Sequence, residues 1–507
     1  MNKMFSKFFY RPQFILNLFC IILFFSMKSS QGMVADTAFI KTFGGINFEE
    51  FHDIIQLPDS GFMMTGVTNG YGSGSNAVYI VRADKNGNHI WSKALGGAGA
   101  EIGNSISGNA SGLYYIAGTT SSYGNGGYDG YLICIDSAGS VQWEKTFGGS
   151  DWDFLNAVKV MPDQSILLAG ESYSFSDGGS DAWVLHLNSM GDTTWTHHYG
   201  GSGNDAFKGI ELSSTAIYLA GYLDSTDANG QDGFLVKLDL QGNFISQQRY
   251  NNQGRDQLNG CFMNPAGNII IYGSTAPFDS TNNGFLVEEI DTTGNTIWVQ
   301  NGVGTENQYF NKVLAIRNNE LVCIGQKNPS GFGKSSMFTM KLTSSGSYLD
   351  SHSFGGGNEE EGFSGVKTFE GGIAFVGFTT SYGVANKDAM LVRLRYDSTI
   401  TPNLFYSTTL YIENLSPIGV FEIKINSELI ISPNPASAFI NIESKNGMKI
   451  DEVFLYSPSG QLIITEQNSL IAKSRIELSQ LKEAGVYFLR VRAGKEWYSG
   501  KVIIVQE

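Results

Sequence analysis

The stretch FGGSDWDFLNAVKVMPDQSILLAGESYSFSDGGSDAWVLHLNSMGDTTWTHHY, residues 147–199, decides the fold. It holds four short apolar runs: LNAVKVMP, SILLAG, AWVLHLN and TTWTHHY. Each run is rich in branched or aromatic residues. Each is bounded by Gly, Asp, Asn or Ser, so the runs read as strands separated by turns. Gly170, which closes SILLAG, recurs as Gly66, Gly118, Gly221, Gly273, Gly325 and Gly377, at spacings of 51 or 52 residues. One supersecondary unit is therefore present seven times, and a single copy cannot bury its own apolar face.

Four strands in about 50 residues are the content of a propeller blade. The sequence predicts an all-β fold: a seven-bladed β-propeller of four-stranded blades with a 52-residue repeat. FGG-like triplets begin at Phe43, Leu95, Phe147, Tyr199, Tyr250, Gly302 and Phe354, degraded to YNN and GVG in the fifth and sixth copies. The turn before the fourth strand reads DKNG, DSAG, NSMG, DLQG, DTTG and TSSG. Seven residues after its first position stands Trp91, Trp143, Trp195, Ser246, Trp298 or Asp350. This D-x-x-G-x-x-x-W pattern resembles the tryptophan-bearing turn of quinoprotein-type propellers. A large aromatic there can wedge between adjacent blades.

Phe39 lies 52 residues before Trp91, so a fourth strand precedes every first strand. The seventh copy ends near Arg395 without one. Residues 37–43 are therefore expected to close the ring, which leaves no open sheet edge at the seam.

Both ends of the chain depart from the repeat. Residues 1–34 begin with Lys3, Lys7 and Arg11 and continue with FILNLFCIILFFSM, residues 14–27. That reads as a signal peptide cut between about Ser30 and Ala35. The run is shorter than the roughly 20 apolar residues of a membrane span, so no span is expected in the mature chain. The propeller is assigned to residues 37–397 and a linker to 398–428. Residues 429–507 form a second domain, in which Lys, Arg and Glu become common. Its alternating segments FINIES, VFLYS, VYFLRV and KVIIV predict a small antiparallel β-sandwich.

This second domain carries ISPNPA, VFLYSPSGQLI, LKEAGVYFLRVRAG and KVIIVQE in that order. Those blocks resemble the type A C-terminal sorting domain of the type IX secretion system. Ser457 departs from an Asp common in the family. The resemblance implies an itinerary: the signal peptide leads to the periplasm, and the C-terminal domain leads across the outer membrane of a Gram-negative bacterium. The product is released or attached to the cell surface. The type IX secretion machinery would be a partner, and Pro433, Asn434, Pro435, Gly460, Gly485 and Lys501 would carry the sorting signal. The ring itself resembles the loosely defined bacterial β-propeller repeat proteins with these landmarks. That group shares no single activity.

The formal charge is −15, and the leader holds only basic charges, so the mature chain is more acidic still. Such a chain repels nucleic-acid phosphates, and no nucleic-acid partner is expected. No HExxH, nucleophile elbow or phosphate loop is present. Cys134, Cys261 and Cys323 occupy unmatched places in three repeats, which reads as buried thiols rather than a disulfide framework.

Two features recur with the repeat on one face of the ring. An acidic residue follows each FGG turn: Glu49, Glu101, Asp153, Asp205, Asp256 and Glu360, with Gln308 in the sixth blade. These form either a carboxylate ring for a cation or sugar, or caps on their own turns. An aromatic lies five residues beyond the repeated glycine: Tyr71, Tyr123, Phe175, Phe278 and Tyr382. These are either a sugar-stacking platform or covers for their own blades. The acidic loop bearing Asp224, Asp227 and Asp232 has oxygen ligands suited to Ca²⁺, and no other cofactor is expected. The expectation is an exported, non-catalytic propeller that binds a carbohydrate or protein ligand. The alternatives are a secreted enzyme acting on polysaccharide and a structural adhesion or surface-layer component.

Overall fold

The computed structural model describes residues 38–394 except 46, 225–229, 252–253, 278–283, 303–306, 329–334 and 384–386. Beyond them it describes 405–406 and, with gaps, 429–504. The leader, most of the linker, and the candidate residues Phe278, Asp227, Asn434, Pro435 and Gly460 lie outside the described residues.

Seven four-stranded antiparallel units follow one another, each in simple up-and-down order. In blade 3 the inner strand is Asp153–Val160, the second Ile166–Ser172, the third Asp181–Leu187 and the outer Thr193–Tyr199. Blade 7 takes its outer strand from the start of the chain. Phe39–Phe43 pairs antiparallel with Asp388–Leu394, Phe39 opposite Arg393 and Phe43 opposite Ala389. The expected seam is thus a continuous sheet. A short strand, Phe405–Tyr406, adds in parallel on the outside of that strand.

The core is divided among the blade junctions. The second and third strands read as continuous apolar runs because both their faces are covered. Alternate residues go to opposite neighbours. Ile166, Leu168, Trp183 and Leu185 pack with Tyr115, Leu132 and Cys134 of blade 2. Leu167, Ala169, Ala182 and Val184 pack with Phe207, Ile217 and Phe234 of blade 4. Outer strands are only partly covered, and Phe244, Ile245 and Ile297 are about half exposed.

The repeated glycine lies inside the second strand, and a bulge explains it. In blade 2 the pairing of inner and second strands slips between Gly103 and Ser105, directly opposite Gly118. The extra residue on the inner strand swings its own backbone inward. A Cβ on Gly118 would sit 1.8 Å from the Ile102 carbonyl oxygen. The same contact is 1.9 Å at Gly66 and 1.7 Å at Gly377. No side chain fits so close to a backbone oxygen, so each copy keeps glycine.

The outer aromatics wedge blades together as expected. The D-x-x-G turn needs its glycine at positive φ, +81° at Gly191. That bare glycine is also a seat for the neighbour, since a Cβ there would lie 2.8 Å from the Trp143 ring of blade 2. Trp91 sits on Gly139, Trp195 on Gly242 and Phe39 on Gly87 in the same manner. Where Ser246 replaces the tryptophan, Gln248 takes over and its Nε2 donates to the Gly294 carbonyl at 2.8 Å.

The C-terminal domain forms two antiparallel sheets. One has strands Leu429–Ser432, Phe439–Ser444 and Lys473–Glu477. The other orders Leu462–Ile471, Ile450–Tyr456, Gly485–Ala493 and Glu496–Ile504. Ile440, Ile442, Val453, Leu455, Leu489 and Val502 share one apolar core, as a sandwich requires.

Candidate functional site

The recurrent acids fall at or near the first residue of each inner strand, Asp256 third in Gly254–Met263, and are almost completely buried. Their work is local. Glu101 Oε2 accepts from the Gly97 N–H at 2.9 Å, and Oε1 accepts from the Thr120 hydroxyl at 3.0 Å. Glu49 repeats this with Gly45 and Thr68, and Glu360 with Gly356 and Thr379. Asp153 takes Gly149 at 2.8 Å, with hydroxyls from Ser172 and Ser174. Asp205 takes Gly201 at 2.8 Å and the Asp224 N–H at 2.7 Å. The backbone N–H of Glu49, Glu101, Asp153, Asp205 and Glu360 also reaches the preceding blade: Asp153 donates to the Tyr128 carbonyl at 2.8 Å and Asp205 to Ser180 at 2.7 Å. One residue thus caps its own turn and stitches two blades. Asp256 is equally buried.

A second carboxylate stands beside several of these, from the third strand of the preceding blade. Gly148 separates Asp129 from Asp153, Gly200 separates Asp181 from Asp205, and Gly44 separates Asp388 from Glu49. Burial raises the pKa of Asp129, Asp181, Asp205 and Glu49, and the facing carboxylate adds to the rise at Asp129, Asp181 and Glu49. These partners were missed in the sequence because they sit in a different blade from the acids they face. Among the described residues no group of three or more His, Cys, Asp or Glu side chains gathers as a metal-ligand set. Asp224 accepts from the Asn204 N–H at 3.3 Å, and Asp232 is buried with Arg249 3.8 Å away.

The recurrent aromatics lie over the FGG turns of their own blades. The Tyr382 hydroxyl donates to the Gly355 carbonyl at 2.9 Å. Tyr71 covers Gly45 closely, and Phe175 lies over Gly149. Tyr123 packs on Tyr131 with ring centroids 5.8 Å apart. Tyr123 and Phe175 remain 41% and 51% exposed. The structure therefore distributes these aromatics around the ring, one to a blade.

A different set of aromatics does converge. Tyr128 of blade 2 and Trp152, Phe154 and Tyr173 of blade 3 form one patch beside the inner strands. The Tyr128 and Phe154 rings stack at 5.9 Å, and Trp152 stands edge-on to Tyr128 at 6.0 Å. Tyr173 meets Trp152 at 6.4 Å and Phe154 at 6.5 Å. Trp152 is 51% exposed, a large apolar surface left open. At this junction the chain departs from the repeat. The position of Trp152 is held elsewhere by Phe48, Ala100, Asn204, Arg255, Asn307 and Glu359. That of Tyr173 is held by Asn69, Ser121, Asp224, Ala276, Asn328 and Thr380. The signal was present in the sequence as a departure from the repeat, but only the fold places the departures together. Farther out on blade 3, exposed Phe175 packs on buried Trp183 at 6.0 Å, with Trp183 and His198 stacked at 5.8 Å.

The axial channel is a cavity of 620 Å³ lined mainly by inner-strand residues of all seven blades, Asn156 of the blade 3 inner strand among them. The bulged residues point into it and join neighbours. Asn104 Nδ2 donates to the Leu155 carbonyl at 2.9 Å, Asn156 to Phe207 at 2.9 Å, Asn259 to Phe310 at 3.0 Å and Asn311 to Gly362 at 2.9 Å. His52 does the same through Nδ1 to the Gly103 carbonyl at 3.0 Å. In blade 4 the belt carries Lys208 instead.

In the C-terminal domain, Pro433 is exposed at the end of the first strand. Gly485 opens its strand opposite Ile504, and Lys501 pairs with Phe488. Cys134, Cys261 and Cys323 are buried free thiols, each with its pKa pushed up by burial.

No curated protein sequence matches the chain. Solved structures that resemble it include a puromycin hydrolase, 11% identical with TM-score 0.47 over 78% of this chain and 58% of that one. Sqt1 from Chaetomium thermophilum is 11% identical, with TM-score 0.41 over 73% and 87%. PorZ, a surface component of the type IX secretion system of Porphyromonas gingivalis, is 12% identical, with TM-score 0.22 over 90% and 81%. Among the described residues no helix is long and apolar enough to cross a membrane. Residues 431–505 match the secretion system C-terminal sorting domain family, so the chain ends in a type IX export signal and is destined for the cell surface or the medium of a Gram-negative cell.

Proposed function

We propose that the exported ring is a saccharide-binding protein whose ligand lies on the blade 2–blade 3 patch. The observation that carries this reading is the convergence of Tyr128, Trp152, Phe154 and Tyr173 where the repeat departs from itself. Features shared by every blade are accounted for by turns, caps and wedges. An open aromatic cluster with Trp152 half exposed is not part of that shared architecture. Sugar rings present C–H faces that stack on aromatic rings, and their hydroxyls pair with amides and carboxylates nearby. Around the patch these are Asn156, Glu171 and the channel belt. Exposed Tyr123 and Phe175, on the same face, extend the contact surface.

The test is a glycan array probed with the full chain and with Trp152→Ala. Binding that falls at least tenfold in the variant, with an unchanged melting temperature, supports the reading. A parent that captures no saccharide, or one whose binding ignores Trp152, overturns it.

A further inference from the structure

We infer that the axial cavity is an anion-binding subsite, so that the saccharide on the aromatic patch is an acidic one bearing carboxylate or sulfate groups. The saccharide half of this statement rests on the reading of the patch given above; the anion half stands on the cavity.

The cavity reverses the charge of the molecule. The chain carries −15, yet the lining holds Lys159, Lys208, Lys312 and Lys367 against only Asp53 and Glu211. Both carboxylates are already occupied. Asp53 accepts from the Ile54 and Ile106 N–H groups at 2.9 Å and from the Ser105 and Ser364 hydroxyls at 3.0 and 2.6 Å. It thereby bridges blades 7, 1 and 2. Glu211 holds Lys159 at 3.2 Å and the Met263 N–H at 3.3 Å. The ammonium of Lys312, half-buried on the wall, makes no hydrogen bond or ion pair among the described residues. Lys159 and Lys312, from blades 3 and 6, line the same cavity as Cys261 of blade 5.

A half-buried ammonium without a counter-ion in a walled cavity is costly, and a bound anion relieves that cost. The geometry also connects this charge to the patch. Phe154 lies opposite Glu171 in the blade 3 pairing, and Glu171 holds Lys208 at 3.4 Å. Lys208 in turn lies over the Tyr222 ring at 5.6 Å. These contacts lead from the stacking surface to Lys208 on the cavity wall, and Lys312 lines the same cavity. The volume of 620 Å³ falls within the range of pockets that enclose small ligands.

Calorimetry on the full chain tests this with carboxylated and sulfated oligosaccharides (oligogalacturonate, oligoalginate, heparin fragments). Each is paired with its methyl-esterified or desulfated form, and inorganic tripolyphosphate serves as a sugar-free anion. At least one acidic member should bind tenfold or more tightly than its neutralised partner. That preference should fall at least tenfold in Lys312→Ala and in Lys312→Gln, return in Lys312→Arg, and weaken as salt rises. Equal binding of acidic and neutralised forms, still dependent on Trp152, overturns the anion subsite and leaves the saccharide reading intact. If no saccharide binds, tripolyphosphate decides. Uptake that requires Lys312 supports the subsite and removes the sugar, and no uptake overturns the subsite too.

Discussion

At Gly118 the absence of one carbon holds a blade in shape. Its would-be Cβ meets the Ile102 carbonyl oxygen at 1.8 Å, far inside any tolerable contact, and backbone cannot move aside as a flexible side chain can. Gly118→Ala should lower stability by about 3 kcal/mol in urea unfolding, at the upper end of overpacking costs. Gly201→Ala, where nothing lies within 4 Å, should change it by less than about 0.5 kcal/mol. The facing carboxylates set a second residue-scale expectation. Asp129, Asp181, Asp205 and Glu49 have raised pKa values, so the folded ring binds their protons more tightly than the unfolded chain does. Their contribution to stability is full below the unfolded carboxylate pKa of about 4 and is lost as pH rises through the folded values. Asp181→Asn should therefore raise the melting temperature at pH 7, and the gap from the parent should shrink as pH falls to 4. A gap that stays constant with pH would show that the pair is not titrating. The repeated acid could be read from the sequence. Its partner could not, since Asp129 and Asp153 belong to different copies and meet only across a junction.

Among elements, the outer strand of blade 7 matters most because it joins the two ends of the ring. Phe39–Phe43 is fully buried, unlike the other outer strands, and makes a complete register with Asp388–Leu394. Deleting residues 38–43 should expose the edge of Asp388–Leu394 and strip Phe39 and Phe43 from the core shared with blade 1. A fall of more than 10 °C in melting temperature, with concentration-dependent aggregation, is the expected outcome, and scanning calorimetry with light scattering checks it. This element was legible because Phe39 keeps the 52-residue phase of Trp91. Strand types and order were legible for the same reason: period-2 apolar runs between turn residues. The position of the bulge on each inner strand was not. A bulge inserts one residue without changing the apolar pattern, and only the slipped pairing beside the glycine locates it.

At the scale of the molecule, the chain joins an export signal to a ring whose architecture is repeated and whose surface is not. Removing residues 429–507 should leave the propeller folded but retained inside the cell envelope, which fractionation with immunoblotting would detect. Appearance of the truncated ring at the surface or in the medium would contradict the assignment of residues 431–505 as the sorting domain. The sequence by itself determined the blade count, the closure, the outer wedges and the export domain. Each depends on a period or on local blocks of residues, and a linear pattern carries both. Only the tertiary structure decided which aromatics meet. The recurrent Tyr71, Tyr123, Phe175 and Tyr382 stay apart because each belongs to its own blade, whereas Tyr128, Trp152, Phe154 and Tyr173 converge because a blade junction brings distant positions within ring-contact distance. Closing seven sheets about one axis likewise turns scattered lysines of an acidic chain into the wall of one cavity. Proximity of that kind is a property of the closed ring and is written in no single repeat.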